Sequence, residues 1–578
     1  MDNVIIQNKF KFENIDFVDK INASLDSKDN IDIYNFEIEL NDNPIHEIKL
    51  SFDESIQNAT TTFIPTFLSE NRFRPTWDLA KSVEAKYSKC MPLNVLLNDK
   101  NESILNVSIS DCYNIIKIHI GANEYSQNAT IIIFMFNNFS VLPKKYTFSL
   151  RIDKRKNAFA KSVKEARDYL YNINNIEVNV PKKAYGKVYS TWYNFHQDIK
   201  QDTLIKELKK AKEFGLETII IDDGWQVDKL NTGYSYCGDW KIANNRFYDF
   251  KKFVQDVHKM GINVVLWLSV PFIGIYSQNY REFLNMYLEM ISGNIMILDP
   301  RYQKVRNFLV NTYLNLLKEY DLDGFKLDFI DAFNLNEKSI YNENMDTPSL
   351  EEALDLLFKE INTTLRNYKE DILIEFRQNY TCPSLIKSAN MIRVADCPLD
   401  YVTNYREIIN LKLTCKIAIH SDMVIFNKND SIENKALNIY ATLFSVPQFS
   451  FILNELENDE QKMLKYFTKF YDKNKEFLFS DNLMTIGKPN EYQAVYVENV
   501  HKLFMVAYEN IVISLNDKYK EITIVNMSSN ETLYIDSKKQ YEYELIDALG
   551  NIYMVNTIQK GINIVIGPKF FILKCISK

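Results

Sequence analysis

Between residues 187 and 453, short apolar runs alternate with amphipathic helical stretches eight times over. KVYSTWY (187–193), TIIIDDGW (218–225), INVVLWLSV (262–270), GFKLDFID (324–331), ILIEFRQ (372–378), NMIRVAD (390–396), IHSDMVIF (419–426) and FSFIL (449–453) read as strands. Helical periodicity separates them at 203–215, 247–261, 304–320, 350–368, 401–416 and 435–446, with a further helix at 460–477. Most of these runs are apolar throughout rather than apolar on every second residue. Such strands are buried on both faces, which means a parallel sheet covered by helices. Eight βα units in about 300 residues suit a closed (β/α)8 barrel better than an open doubly wound sheet. No GxGxxG turn follows the first strand, which disfavours a dinucleotide-binding fold.

The flanks have a different texture. Residues 1–180 contain short β-branched and aromatic segments between Asn, Asp and Ser turns, then a helix at 159–171. Residues 481–578 are again β-rich, as in YKEITIV (519–525) and INIVIG (562–567). The expected layout is an N-terminal β domain with a helical linker (1–180), the barrel (181–480) and a C-terminal antiparallel β-sandwich (481–578).

Charge and composition narrow the partners. A net charge of −8 and a pI near 5.6, with no basic block, argue against nucleic acid. No run approaches a membrane span, and the N-terminal stretch MDNVIIQNKFKFENIDF lacks the apolar core of a leader. Seven scattered cysteines without a CxxC pair suggest a reduced, cytoplasmic chain with neither a disulfide framework nor a zinc site. The six histidines form no HxH or HExxH pattern, so a histidine-held metal is not expected.

In a βα barrel, chemistry sits at the C-terminal ends of the strands. Here those ends carry acids: Asp222 and Asp223, Asp328 with Asp331 just beyond, Asp396, and Asp422. Glu375, Arg377 and Gln378 lie on the fifth strand. Trp192, Trp225, Trp240 and Trp267 fall at or just after the first three strands. A lone strand-end aspartate commonly caps the following helix. Several in consecutive units, with a lysine beside one of them, suit glycoside hydrolysis, which needs two carboxylates flanking the scissile bond. Lys326 and Asp328 are two residues apart and share a strand face, so the lysine could keep the aspartate ionised. A buried structural Lys–Asp pair is the alternative.

The segments STWYNF (190–195), IIIDDGWQ (219–226), GDW (238–240), VLWLSVPF (265–272), GFKLDFID (324–331) and RVADCP (393–398) resemble, in content and order, α-galactosidases of glycoside hydrolase family 36. That resemblance implies an N-terminal β-supersandwich, a central (β/α)8 barrel and a C-terminal β domain. It implies a retaining exo-α-galactosidase with Asp328 as nucleophile and Asp396 as acid/base, Asp400 being the fallback for the latter. It further implies Asp222, Asp223, Lys326 and Arg393 as sugar-binding residues, and Trp192, Tyr193 and Trp267 as pocket walls. Trp77, from the N-terminal domain, is the candidate to complete the pocket, and Arg377 a further binding residue. No cofactor or metal is implied. The expected partner is a short oligosaccharide or glycoside, and the chain could form a homo-oligomer. Where many members have a Cys- and Gly-rich segment after the fifth strand, near the sugar 2-position, this chain has EFRQNYTCPS (375–384). The terminal sugar is thus left open between galactose, N-acetylgalactosamine and another sugar. A galactosyl-transferring enzyme and an inactive sugar-binding barrel are the other readings.

Overall fold

A computed structural model describes residues 9–577 except 80, 81, 83 and 230–232. The first eight residues, part of the stretch read above for a leader, lie outside the described residues. No helix among the described residues is long and apolar enough to cross a membrane.

The eight strands form a closed parallel barrel. They are Val188–Ser190, Thr218–Ile221, Asn263–Ser269, Gly324–Asp328, Leu373–Arg377, Met391–Arg393, Ala418–Val424 and Val446–Phe449. Every residue of TIII and GFKLD is buried, as continuous apolar runs require. Val188, Ile220, Val265, Leu373, Met391, Ala418 and Val446 pack together as one cluster, with a residue from seven of the eight strands. Helices follow the strands with apolar faces turned inward; Phe250–Lys259, for example, buries Phe250, Phe253, Val254 and Val257. Asp249 caps that helix by accepting from the Lys252 amide at 3.0 Å.

Two elements depart from the sequence reading. The eighth strand begins at Val446, not at Phe449. It contains Pro447, which cannot donate to a ladder and so hides a central strand from pattern reading. The barrel accommodates it beside a register break in the seventh strand, between His420 and Met423. The second departure is a small sheet of Phe272–Gly274, Tyr287–Ile291 and Ile295–Leu298, inserted after the third strand.

N-terminal to the barrel, two sheets pack face to face around Phe36, Ile38, Leu50, Val107, Ile118 and Leu150. The helix Phe159–Ile173 leads from them to the barrel. The C-terminal sheets are antiparallel apart from one parallel pair in each. Those pairs arise because the chain leaves the larger sheet after Lys502–Ala507, adds Val512–Leu515 to the smaller one, and returns as Glu521–Asn526. One hydrophobic cluster runs from Phe63 and Leu93 of the N-terminal sheets through the barrel to Val495 and Phe504 at the C-terminal end.

Candidate active site

A cavity of about 290 Å³ opens at the C-terminal ends of the barrel strands. It is lined by Trp192, Asp222, Asp223, Tyr234, Trp267, Lys326, Asp328, Phe329, Arg377, Arg393 and Asp396. A larger hollow of about 920 Å³ lies on the N-terminal sheets, with Asn22, Asn35 and Ser149 among its walls. That hollow gathers no comparable set of ionised groups, so the barrel mouth is where chemistry concentrates.

Asp328 ends the fourth strand and is almost wholly buried. Its Oδ1 accepts from Arg377 Nε at 2.9 Å, the Tyr380 hydroxyl at 2.8 Å and the Phe329 amide at 2.8 Å. Oδ2 accepts from the Trp267 indole N–H at 3.1 Å. Burial pushes the carboxyl up, but Arg377 and then Lys326 outweigh it and hold Asp328 well below the usual carboxylate range. Phe329, the next residue, has φ 63°, a left-handed conformation strained for a bulky side chain. That turn carries the amide that Asp328 accepts.

Lys326 reaches Asp222, not Asp328, with Nζ 2.6 Å from Oδ2. Its effect on Asp328 is through space. Asp222 Oδ1 accepts from the Asp223 amide at 2.9 Å, and Thr191 Oγ1 accepts from the Asp222 amide at 2.9 Å. Among the described residues no ion pair to Asp223 forms, and neutral donors hold it instead. The amides of Gln197 and Gln226 donate to its two oxygens, each at 2.7 Å. Burial, with Asp222 adding to it, pushes its carboxyl up to about 6 despite those donors. Gly224 follows with φ 121°, and a Cβ there would lie 2.6 Å from Gln197 Cα. Glycine lets the two strand-end loops close around Asp223.

Asp396 lines the same cavity, its side chain about half exposed (53%). Arg393 Nη2 donates to Oδ1 at 2.8 Å. Burial raises the Asp396 carboxyl, but Arg393, Lys326 and Arg377 bring it below its ordinary value. The same Arg393 donates through Nη1 to Asp422, which also accepts from the Tyr193 hydroxyl at 3.0 Å and the Cys397 amide at 2.7 Å. Full burial and the nearby Asp396 push Asp422 up, against the pull of Arg393.

Not every sequence candidate lines the cavity. Tyr193 supports Asp422 beneath the wall. Trp225 and Trp240 are core, not rim: the Trp225 indole donates to the Trp267 carbonyl, and its ring stacks on Trp240 at 6.1 Å. Trp77 is 70% exposed and outside the lining; its indole points to Glu124 at 3.4 Å. The N-terminal domain meets this rim through Thr66–Leu68 instead, where the Phe67 amide donates to Asn379 Oδ1 at 2.8 Å. Asp400, the fallback acid, accepts from the Thr403 amide at 3.0 Å and caps the helix Tyr401–Thr414.

The structure also adds residues. Tyr234 stacks on Trp267 at 6.0 Å and meets Phe329 edge-on. It comes from a loop with no periodic pattern, so nothing in the sequence marks it. Tyr380 lies in the segment noted above only for what it replaces. Asp422 was visible as a strand-end acid, but its partners were not.

Fold and site together define a (β/α)8-barrel protein with a pocket of carboxylates, cations and aromatic rings at the C-terminal rim. The family model described as Melibiase matches residues 164–376, which carry Asp222, Asp223, Lys326 and Asp328. Alpha-galactosidase 1 of Pediococcus pentosaceus is 30% identical over 149 residues, 24% of this chain and 20% of that one. Alpha-galactosidase Mel36A of Lactobacillus acidophilus is 25% identical over 236 residues, 37% of this chain and 31% of that one. The matched segments thus span under a third of these relatives' own length. The crystal structure of the GH36 α-galactosidase AgaA from Geobacillus stearothermophilus superposes with a TM-score of 0.66 at 14% identity, covering 96% of this chain and 81% of that one. A second structure of that enzyme, in complex with raffinose, gives 0.64. In family model, in sequence and in fold, the chain is similar to the α-galactosidases of glycoside hydrolase family 36.

Proposed function

We propose that this protein is a retaining exo-α-galactosidase acting on short oligosaccharides. One observation carries the reading: a buried Asp328, kept ionised and with hydrogen-bond donors on both oxygens, lines one cavity of about 290 Å³ together with a half-exposed Asp396. In the first step Asp396 gives its proton to the glycosidic oxygen while Asp328 attacks the anomeric carbon. In the second, Asp396 takes a proton from water, which displaces Asp328 and restores the α configuration.

Free Asp396, held by Arg393, is in the ionised form suited to the second step. For the first it must take up a proton, which entry of a neutral ring favours by displacing water from its exposed side. Lys326, Asp222 and Asp223 supply one donor and two acceptors for sugar hydroxyls, and the faces of Trp192 and Trp267 suit the C–H side of a ring. Arg377 and Tyr380 fill the space beside Asp328, which favours a free 2-hydroxyl over an acetamido group. The likeness to proteins named α-galactosidases, and to one such structure in complex with raffinose, supports the galactosidase assignment. Seven free cysteines, six of them buried, support a reducing, cytoplasmic setting.

A panel of aryl α-glycosides, with product anomers followed by NMR, tests this. Absence of cleavage of every α-galactoside by the wild type would sink it. Release of β-galactose as the first product would replace retention by inversion. A crystal structure should place the two carboxyl groups about 5–5.5 Å apart rather than ~6.5–9.5 Å.

A further inference from the structure

Behind the pocket, Gln378 touches both halves of the acid pair without facing the cavity. Its carbonyl accepts from Arg377 Nη1 at 3.2 Å, and Arg377 in turn holds Asp328. Its side-chain oxygen accepts from the Ala395 amide at 3.4 Å, one residue before Asp396, and its own amide donates to the Arg393 carbonyl at 2.9 Å. What fixes Gln378 is Glu407, a 2%-exposed carboxyl on the helix Tyr401–Thr414. Gln378 Nε2 donates to Glu407 Oε2 at 2.8 Å.

Glu407 also collects the two flanking domains. Oε1 accepts from the Leu68 amide of the N-terminal domain at 3.1 Å. Oε2 accepts from Asn410 Nδ2 at 3.2 Å. Asn410 in turn donates to Asn490 Oδ1 at 2.7 Å and accepts from the Tyr492 hydroxyl at 2.7 Å, both in the C-terminal domain. Asn490 closes the circuit by donating to the Ser69 carbonyl at 2.9 Å. A buried carboxyl among neutral donors is costly, and burial raises Glu407 above its usual value against the donors Gln378, Leu68 and Asn410. An apolar side chain of similar size would pack this helix more cheaply. What it could not do is hold Gln378.

We infer that Glu407 is a positioning residue, a point through which both flanking domains set the distance and angle between the nucleophile's Arg377 support and the Asp396 loop. The flanking domains are then part of the chemistry, not only of stability. This rests on the galactosidase reading for its kinetic readout, and the experiment separates the two.

Glu407→Ala and the milder Glu407→Gln are compared with wild type and with Tyr508→Leu. The last loosens the Tyr405–Tyr508 stack (3.8 Å) between barrel and C-terminal domain without touching Gln378. Rates are normalised to folded protein. Glu407→Ala should lose roughly 10- to 100-fold in kcat with KM little changed, since a small misplacement remote from the reacting atoms costs that much. Glu407→Gln, which keeps one acceptor, should lose less. The titratable and charged groups facing Asp328 are Arg377, Lys326, Arg393, Asp331, Tyr380 and Tyr234. Loosening Arg377 should move the acid limb of kcat/KM to higher pH in the Glu407 variants and not in Tyr508→Leu. A Glu407→Ala enzyme that melts lower but keeps wild-type kcat and acid limb would overturn the inference. If wild type cleaves no α-galactoside, the functional reading falls. Hydrogen exchange across 376–398 then decides separately: faster in Glu407→Ala supports the role, unchanged exchange overturns it.

Discussion

Asp328 and Asp396 differ in surroundings as much as in position. Asp328 has every oxygen engaged by a donor and is kept ionised; Asp396 has one cation in direct contact, Arg393, and an open side. Asp328→Ala should therefore lower kcat by roughly 10⁴-fold or more, for all leaving groups. Asp396→Ala should lose ~10²–10⁴-fold on ordinary glycosides but little in the first step for a dinitrophenyl leaving group, which needs no proton. Burst kinetics distinguish the two. Asp223 gives a stability prediction of opposite sign. Its carboxyl, 3.8 in the unfolded chain and about 6 in the fold, binds more protons folded than unfolded between those values. Stability contributed by this group is thus full below about pH 3.8 and falls as pH rises through 6. Asp223→Asn should stabilise the fold at neutral pH by on the order of 2–3 kcal/mol at most, seen as a higher melting temperature, while weakening substrate binding. A lower melting temperature would show that the charge at Asp223 is better solvated than its burial suggests.

At the scale of elements, the fourth strand carries Lys326 and Asp328 to the pocket, and its position depends on Gly324. A Cβ at 324 would stand 2.1 Å from the Leu373 carbonyl of the fifth strand. Gly324→Ala should cost about 1–3 kcal/mol of overpacking and also reduce kcat, because the strand that bears the nucleophile must shift. Thermal unfolding and active-site titration check the two parts. The strands themselves were legible because a covered parallel sheet leaves uninterrupted apolar runs, as in TIII and GFKLD. The eighth was misplaced because Pro447 reads as a break. The inserted sheet at 272–298 went unread because its strands, of three to five residues, pair with one another and leave no long period.

One hydrophobic cluster spans parts of both flanks and the barrel, beside separate cores within the N-terminal sheets, the C-terminal sheets and the barrel centre. Phe504 of the C-terminal sheet packs against Phe444, Phe470 and Phe477, and Tyr508 lies on Tyr405. Ending the chain at residue 480 should expose this surface and abolish soluble expression, since a large contiguous apolar patch drives association. A soluble monomer of the truncated chain with full activity would contradict both this and the role given to Glu407.

By itself, the sequence determined the barrel and the acids at its strand ends. Those follow from local pattern: continuous apolar runs bury both faces of a strand, and the residue after each run stands at the rim. Only the tertiary structure decided which groups act on which. Lys326 pairs with Asp222, Arg377 and Tyr380 hold Asp328, and Trp225 and Trp240 retreat into the core, while Trp77 stays in solvent. These partnerships join residues tens to hundreds apart, and burial sets their strength. Neither separation in space nor loss of water is written in the order of the residues.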